Sequence, residues 1–411
     1  MYSTSKYLTP GIIILNLLAL VPPGYAKTAH LEFIRQTSLT ISTLNIQAQA
    51  PTANDYFNSG LDKQNQGDNS GAIADYTEAI SIDPLHTFSY YNRGLARYDL
   101  GDKQGAIEDY NQAIDVDPEY VNAYINRGLA RSDLGDKEGA IEDYNQAIKI
   151  SPNNDLAYYN RGLANYELGN KQEAIDDYKE SIRINPNSVV AYYNMGLARY
   201  DLGDKQGAIE DYDKAIDVDP GYVNAYINRG LARYDLGDKQ GAIKDYNQAI
   251  ELNPSNFLAY YDRGLARYDL GNIIGAIEDY NQSIKFKSDY PNSYINRGLA
   301  RYDLGDKQGA IRDYNQAIEL NPNDVLPHYN RGIARHDLGD KQGAIEDYNQ
   351  AIELNPNLAQ AHYNRGVIRS EIGDTYGALR DLKNAAQIYR EQGKTQDYQE
   401  TLDRISRLEK L

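Results

Sequence analysis

The chain has 411 residues, a net charge of −17 and no cysteine. The missing thiols exclude disulfides, thiolate metal sites and cysteine nucleophiles. A polyanion of this size argues against nucleic-acid binding, where lysine and arginine must neutralise phosphates, and favours cationic partners instead.

The first 26 residues resemble a secretory signal peptide. Lys6 precedes an apolar run over 11–21, and small residues lead to Ala26, which gives the order of a charged start, an apolar core and a cleavage site. The run is shorter than the roughly 20 apolar residues of a transmembrane helix. We expect export, with cleavage after Ala26 or Ala50. The alternatives are an uncleaved N-terminal membrane anchor and a cytoplasmic protein. Residues 27–52 are predicted to be a flexible lead-in.

From residue 53 onward, one pattern returns every 34 residues without insertion or deletion. Its first glycine recurs from Gly60 to Gly366. Such a strict period predicts a single supersecondary unit stacked many times, which makes a solenoid. The ten units are 53–86, 87–120, 121–154, 155–188, 189–222, 223–256, 257–290, 291–324, 325–358 and 359–392.

The unit 87–120 is predicted to contain two helices. Small and apolar residues recur at helical spacing on both sides of Gly101. Gly101 suits the left-handed position that ends a first helix, and Asp102 suits the N-cap of a second. Pro118 keeps the residue before it out of the helical region. Each unit is therefore predicted to run helix, tight turn, helix, short link.

Six positions of each unit resemble the tetratricopeptide repeat (TPR) family. Counted from the first residue of a unit, the family pattern has an aromatic at 4, Gly at 8, Ala at 20, an aromatic at 24, Ala at 27 and Pro at 32. In the second unit these positions hold Tyr90, Gly94, Ala106, Tyr110, Ala113 and Pro118. The resemblance extends over 53–392, and its Asn-Arg-Gly form is similar to that of cyanobacterial TPR proteins. For an exported chain, this subtype implies the periplasm, the thylakoid lumen or the extracellular space.

The resemblance implies an all-α fold: a right-handed α-solenoid, or superhelix, of ten helix-turn-helix units. Beyond the units, residues 393–411 place Tyr398, Leu402, Ile405 and Leu408 on one helical stripe. Because a terminal unit would otherwise expose its apolar face, this segment is predicted to be a C-terminal capping helix.

Opposite charges recur at two positions of the unit. Position 7 is arginine in eight units and Met195 in the fifth, and position 23 is aspartate in all ten. An antiparallel helix pair that turns near position 15 brings positions 7 and 23 together. We predict repeated ion pairs of the Arg93–Asp109 type that set the stacking of helices rather than bind a ligand.

The tyrosines suggest a binding surface. Those at positions 4 and 24 are predicted to be mostly core, with the hydroxyl at an edge. The resemblance implies that positions 2, 5, 6, 9, 12 and 13 line a concave face that contacts partners. Tyrosine offers stiff contact area, and asparagine can bond an extended peptide backbone. The candidate partner-binding residues are Tyr91, Asn92, Tyr98, Asp99, Tyr159, Asn160, Tyr166, Tyr193, Asn194, Tyr200, Tyr261, Asp262 and Tyr268. The alternative is that they only support neighbouring helices.

The expected function is a non-enzymatic scaffold or adaptor that binds a protein or peptide segment, extended or basic in character, and is monomeric without its partner. No cofactor, metal or catalytic motif is predicted, and contact with a membrane is expected only through an uncleaved N-terminus. A self-associating structural solenoid is the main alternative. An enzyme is a remote alternative, because the sequence shows no catalytic constellation. A calcium-binding repeat protein is another, because helix capping explains the Asp102-type residues.

Overall fold

The computed structural model describes residues 50–410, and its regular elements are all α-helices. The predicted signal peptide (1–26) and most of the lead-in (27–52) lie outside the described residues. Within 50–410, no helix has the length and apolar character needed to cross a bilayer.

Each unit contains two helices of nearly constant length. In chain order the helices are α1 Ala53–Asn65, α2 Asn69–Ile82, α3 Thr87–Asp99, α4 Lys103–Val116, α5 Val121–Asp133, α6 Lys137–Ile150, α7 Asp155–Glu167, α8 Lys171–Ile184, α9 Val189–Asp201, α10 Lys205–Val218, α11 Val223–Asp235, α12 Lys239–Leu252, α13 Phe257–Asp269, α14 Ile273–Phe286, α15 Pro291–Asp303, α16 Lys307–Leu320, α17 Val325–Asp337, α18 Lys341–Leu354, α19 Ala359–Glu371, α20 Thr375–Glu391 and α21 Thr395–Leu408.

The turn between the two helices of a unit follows from two residues. Gly101 has a φ of +87°, in the left-handed region where a side chain is strained. The Asp102 carboxylate accepts a hydrogen bond from the Gly105 amide at 2.9 Å, which caps α4. At the other end α4 stops at Val116, just before Asp117 and Pro118. The predicted turn, cap and stop are therefore confirmed.

A close approach between the two helices sets the core of each unit. A Cβ atom added to Gly94 would lie 2.6 Å from the ring of Tyr110, which is 1% exposed. The small residues Ala106 and Ala113 of α4 are fully buried around the same contact. Position 8 must therefore stay glycine, since position 24 fills the space that a side chain would need.

The units stack by a repeated helix order. The second helix of each unit packs on the first helix of the next, and the first helices of consecutive units also contact one another through α17. The first helices therefore share one side of the stack. The predicted all-α solenoid is confirmed. At its far end, α21 packs Ile405 and Leu408 against Ala378, Leu382 and Ala386 of α20, so the last unit has an apolar cover.

The predicted arginine–aspartate pairs are confirmed in all eight units that carry the arginine, with closest N–O distances of 2.5 to 2.7 Å. The pairs contain more than the sequence analysis anticipated. Arg127 bonds Asp143 of its own unit and also donates to the Asn111 side chain of the preceding unit at 2.7 Å. Position 11 supplies a second cation, since Arg131 lies 2.9 Å from Asp143. The aspartate is thus held by two arginines, and one of them connects two units.

The fifth unit interrupts this series. Met195 replaces the position-7 arginine, and Asp211 keeps only Arg199, at 3.3 Å. The Oδ2 atom of Asp211 is buried and has no hydrogen-bond partner among the described residues. Burial raises the pKa of Asp211 to about 7, although Arg199 opposes the rise.

We expect Gly230→Ala to lower stability, because its Cβ would lie 2.7 Å from the Tyr246 ring. Overpacking costs on the order of 1–3 kcal/mol, more than the ~1 kcal/mol gained in helix propensity. Gly366→Ala is the matched control: its nearest neighbour is Leu382, at 3.1 Å. Urea unfolding should show a clear loss for the first variant and a small effect for the second. Equal losses would contradict the proposed role of the position-24 ring.

We expect Met195→Arg to stabilise the chain by about 1–3 kcal/mol at pH 8, by giving the buried Asp211 carboxylate its second cation. The pKa of Asp211 is about 7 in the folded protein, whereas that of an unperturbed aspartate is 3.8. The folded state therefore holds a proton that the unfolded state releases, and stability falls as pH rises from about 4 to about 7. The arginine should remove that fall, so its gain should be largest above pH 7 and small near pH 4.

Two further variants control this experiment. Met195→Leu should give no gain that depends on pH, because it adds no charge. Lys179→Asn, combined with Met195→Arg, should add to the gain, since Lys179 occupies the position where Asn111 accepts from Arg127. A gain of equal size at pH 4 and pH 8 in urea unfolding would contradict an effect through Asp211.

Candidate functional site

The first helices carry the predicted partner-binding residues, and the structure places most of them in contacts between units. The position-5 rings pack inward: Tyr91, Tyr193 and Tyr261 are less than a tenth exposed. The ring of Tyr91 lies 6.0 Å from that of Tyr110, and Tyr193 lies 5.9 Å from Tyr212. These rings therefore form part of the core. We call the side of the stack that the first helices share the inner groove.

A hydrogen bond joins position 6 of one unit to position 5 of the unit before it. Asn194 donates to the Tyr159 hydroxyl at 2.9 Å, and Asn228 donates to that of Tyr193 at 2.7 Å. The same bond reaches Tyr91 from Asn126. Burial raises the pKa of Tyr193, so its hydroxyl stays protonated. These asparagines thus bind the protein's own phenols.

A second bond joins position 12 to position 13 of the next unit. Tyr200 donates to Asp235 at 2.6 Å, and Tyr166 donates to Asp201 at 2.7 Å. A lysine at position 17 joins the same carboxylate, as Lys205 does with Asp235 at 2.7 Å. Burial is the main cause that raises the pKa of Tyr200, and the hydrogen bond to the Asp235 carboxylate raises it further. Each phenol thus remains a hydrogen-bond donor.

The exposed fraction of the thirteen candidates separates them into two groups. Tyr91, Asn92, Tyr193, Asn194 and Tyr261 are buried, whereas Tyr98, Tyr159, Asn160, Tyr166, Tyr200, Asp262 and Tyr268 are partly exposed and Asp99 is exposed. The supporting role that the sequence analysis left open is therefore real for the buried group. Partner binding remains a prediction, and the partly exposed group offers the surface for it.

The position-4 tyrosines pack against the core from its edge, as Tyr90, Tyr124 and Tyr192 do. Most of them are partly exposed, as Tyr124 is, and the guanidinium of Arg127 lies 5.4 Å from the Tyr124 ring centroid. The core rings are those of positions 24 and 5. The sequence analysis missed the inter-unit bonds, because they join residues 35 apart and depend on how consecutive units are rotated.

Comparison with known families agrees with this architecture. The protein-family model for a TPR repeat matches residues 94–135, 132–169, 196–237, 230–271, 264–305, 298–339 and 334–373, and that for a tetratricopeptide repeat matches 156–188. These matches cover well over half of the chain. The chain belongs to the tetratricopeptide repeat family. TPR repeats are typically non-enzymatic modules that bind proteins or peptides.

Solved structures include several similar TPR proteins. The C-terminal part of a TPR repeat-containing protein from Cytophaga hutchinsonii is 19% identical over 58% of this chain and 98% of that one, with a TM-score of 0.50; this likeness concerns the fold alone. MamA is 33% identical over 39% of this chain and 94% of that one, with a TM-score of 0.38. YrrB, a TPR protein with an unusual peptide-binding site, is 20% identical over 45% of this chain and 95% of that one, with a TM-score of 0.40. No curated protein matches this TPR chain.

Proposed function

We propose that this TPR protein is a non-enzymatic scaffold that binds an extended, basic protein segment in the inner groove. The observation that carries the proposal is the bonding of groove residues from unit to unit. Asn228 is fixed on Tyr193, and Tyr200 is fixed on Asp235. A groove whose side chains are already ordered loses little conformational entropy when it binds a partner.

The chemistry of the groove supports an extended and basic segment. Position 12 presents partly exposed phenol rings at intervals of one unit, as at Tyr166, Tyr200 and Tyr234. Position 13 adds a row of carboxylates, of which Asp201 is exposed. Rings supply stiff contact area, and carboxylates accept hydrogen bonds from lysine and arginine. A repeated arrangement suits a chain that runs along several units.

We expect peptides selected on the full chain from a random phage-displayed library to be rich in lysine and arginine. The double variant Tyr166→Ala, Tyr200→Ala should weaken a selected peptide by at least about tenfold, since buried aromatic anchors dominate binding energies. Tyr376→Ala is the matched control, because Tyr376 is 82% exposed on the second helix of the tenth unit. Fluorescence anisotropy gives the affinities.

A further variant separates a lost contact from a loosened array. Tyr200→Phe removes the hydroxyl bonded to Asp235 but keeps the ring, so it should retain most of the affinity if the peptide packs on the ring. Binding that Tyr376→Ala abolishes and the double groove variant leaves intact would place the partner on another surface.

The structural alternative, a self-associating solenoid, is favoured by one observation. Position 14 presents an exposed apolar side chain at the turn of nine units: Leu100, Leu134, Leu168, Leu202, Leu236, Leu270, Leu304, Leu338 and Ile372. Exposed apolar rows can mark interfaces. For a scaffold we expect a monomer whose sedimentation coefficient does not change with concentration. A coefficient that rises with concentration, and that Leu202→Lys and Leu236→Lys bring back to the monomer value, would support self-association.

A further inference from the structure

The hydrogen bonding of position 6 in the inner groove differs between units. Where the preceding unit carries tyrosine at position 5, the position-6 asparagine donates to that hydroxyl, as Asn296 does to Tyr261 at 2.9 Å. Three units carry isoleucine at position 5 instead: Ile125, Ile227 and Ile295. The position-6 side chains that follow them have no phenol to bond.

Those three side chains are Asn160, Asp262 and Asn330, and all are partly exposed. Asp262 is the only carboxylate at position 6, since the other nine units have asparagine. A carboxylate differs from an amide here because it carries charge and accepts hydrogen bonds but donates none. The seventh unit therefore places an acid where the rest of the array has a neutral amide.

Asp262 interacts electrostatically with several tyrosines. Its charge acts on Tyr200, Tyr234, Tyr261 and Tyr290. The hydroxyls of these rings are used elsewhere: Tyr200 donates to Asp235, Tyr234 donates to Asp269, and Tyr261 accepts from Asn296. These three hydroxyls are therefore not the hydrogen-bond partners of the Asp262 carboxylate.

No cation of the described residues pairs with Asp262. Lys239, which lies 5.8 Å from the Tyr234 ring centroid, is paired with Asp269 at 2.8 Å. Burial raises the pKa of Asp262 to about 7, with no hydrogen bond or positive charge opposing the rise. A desolvated carboxylate without a cationic partner gains most from a cation supplied by a ligand.

We propose that Asp262 selects a lysine or arginine side chain of the segment that binds in the inner groove. The proposal rests on the proposed function and names one specificity-determining residue within it. Tyrosine faces attract cations as well, and the chain already uses this contact between Arg263 and the Tyr260 ring at 5.4 Å. A cationic side chain can pair with the carboxylate and also contact a tyrosine face, whereas an acidic or apolar one cannot pair with the carboxylate.

The test is a double-mutant cycle on the full chain with a lysine-containing peptide selected from the random library. Asp262→Asn restores the residue found in the nine other units, so the variant is expected to fold. It should weaken the peptide about tenfold, the effect of losing a charge-assisted hydrogen bond. Changing the critical peptide lysine to glutamine should weaken binding to the wild type by a similar factor and hardly affect binding to Asp262→Asn.

A second measurement locates the contact directly. Carbodiimide coupling of the bound peptide, followed by mass spectrometry, should join the peptide lysine to Asp262. Asn330 provides the matched position, because it also follows an isoleucine unit and has Tyr302 and Tyr329 at positions that correspond to Tyr234 and Tyr261. In the double variant Asp262→Asn, Asn330→Asp, coupling should move to position 330.

The outcomes separate the two proposals. If a peptide needs Tyr166 and Tyr200 but binds Asp262→Asn as tightly as the wild type, the role of Asp262 is overturned and the groove remains the binding surface. Selection of peptides without lysine or arginine also overturns it. If no peptide depends on the groove, both proposals fail.

Discussion

A buried carboxylate recurs in every unit, and the rest of the array depends on keeping it paired. Asp109 is 1% exposed, and burial raises its pKa although Arg93 and Arg97 oppose the rise. An unpaired charge in such a place would cost several kcal/mol. The position-7 arginine pairs with this carboxylate within its unit. In most units it also bonds position 25 of the unit before it, as Arg127 does with Asn111. The same side chain thus satisfies the core and fixes how one unit sits on the next.

Fixing the rotation between units also determines the inner groove. Because each unit repeats the same step, a bond between residues 35 apart can form again and again, as in Tyr166 to Asp201 and Tyr200 to Asp235. Near-identical sequences thereby give near-identical contacts, and the groove is held by many weak bonds rather than by one strong contact. A surface of this kind is ordered in the free chain, which is the property that the proposed binding of a partner requires.

Local chemistry explains how much of this fold the sequence could predict. Gly101, Asp102 and Pro118 act within a few residues, so the turn, the cap and the helix end follow from the chain alone. The Arg93–Asp109 pair follows from one antiparallel hairpin. By contrast, Tyr91 at position 5 is more buried than its neighbour Tyr90, and that order depends on the angle between helices of different units. Contacts that require the superhelical rotation lie beyond a reading of single units.

In the second to tenth units, a tyrosine stands either at position 5 of a unit or, where position 5 is isoleucine, in the link before that unit. This difference makes the position-6 sites of the groove unequal. Where position 5 is Ile125, Ile227 or Ile295, the link before it carries a tyrosine: Tyr120, Tyr222 or Tyr290. Tyr222, the last residue of the unit 189–222, packs edge-on against Tyr193 of the same unit, with ring centroids 5.2 Å apart. The tyrosine in the link thus keeps an aromatic ring between the two units. Isoleucine at position 5, however, has no hydroxyl to which position 6 of the next unit could bond. Within the described residues, Asn160, Asp262 and Asn330 therefore lack this phenol partner, and one of these three side chains carries a charge.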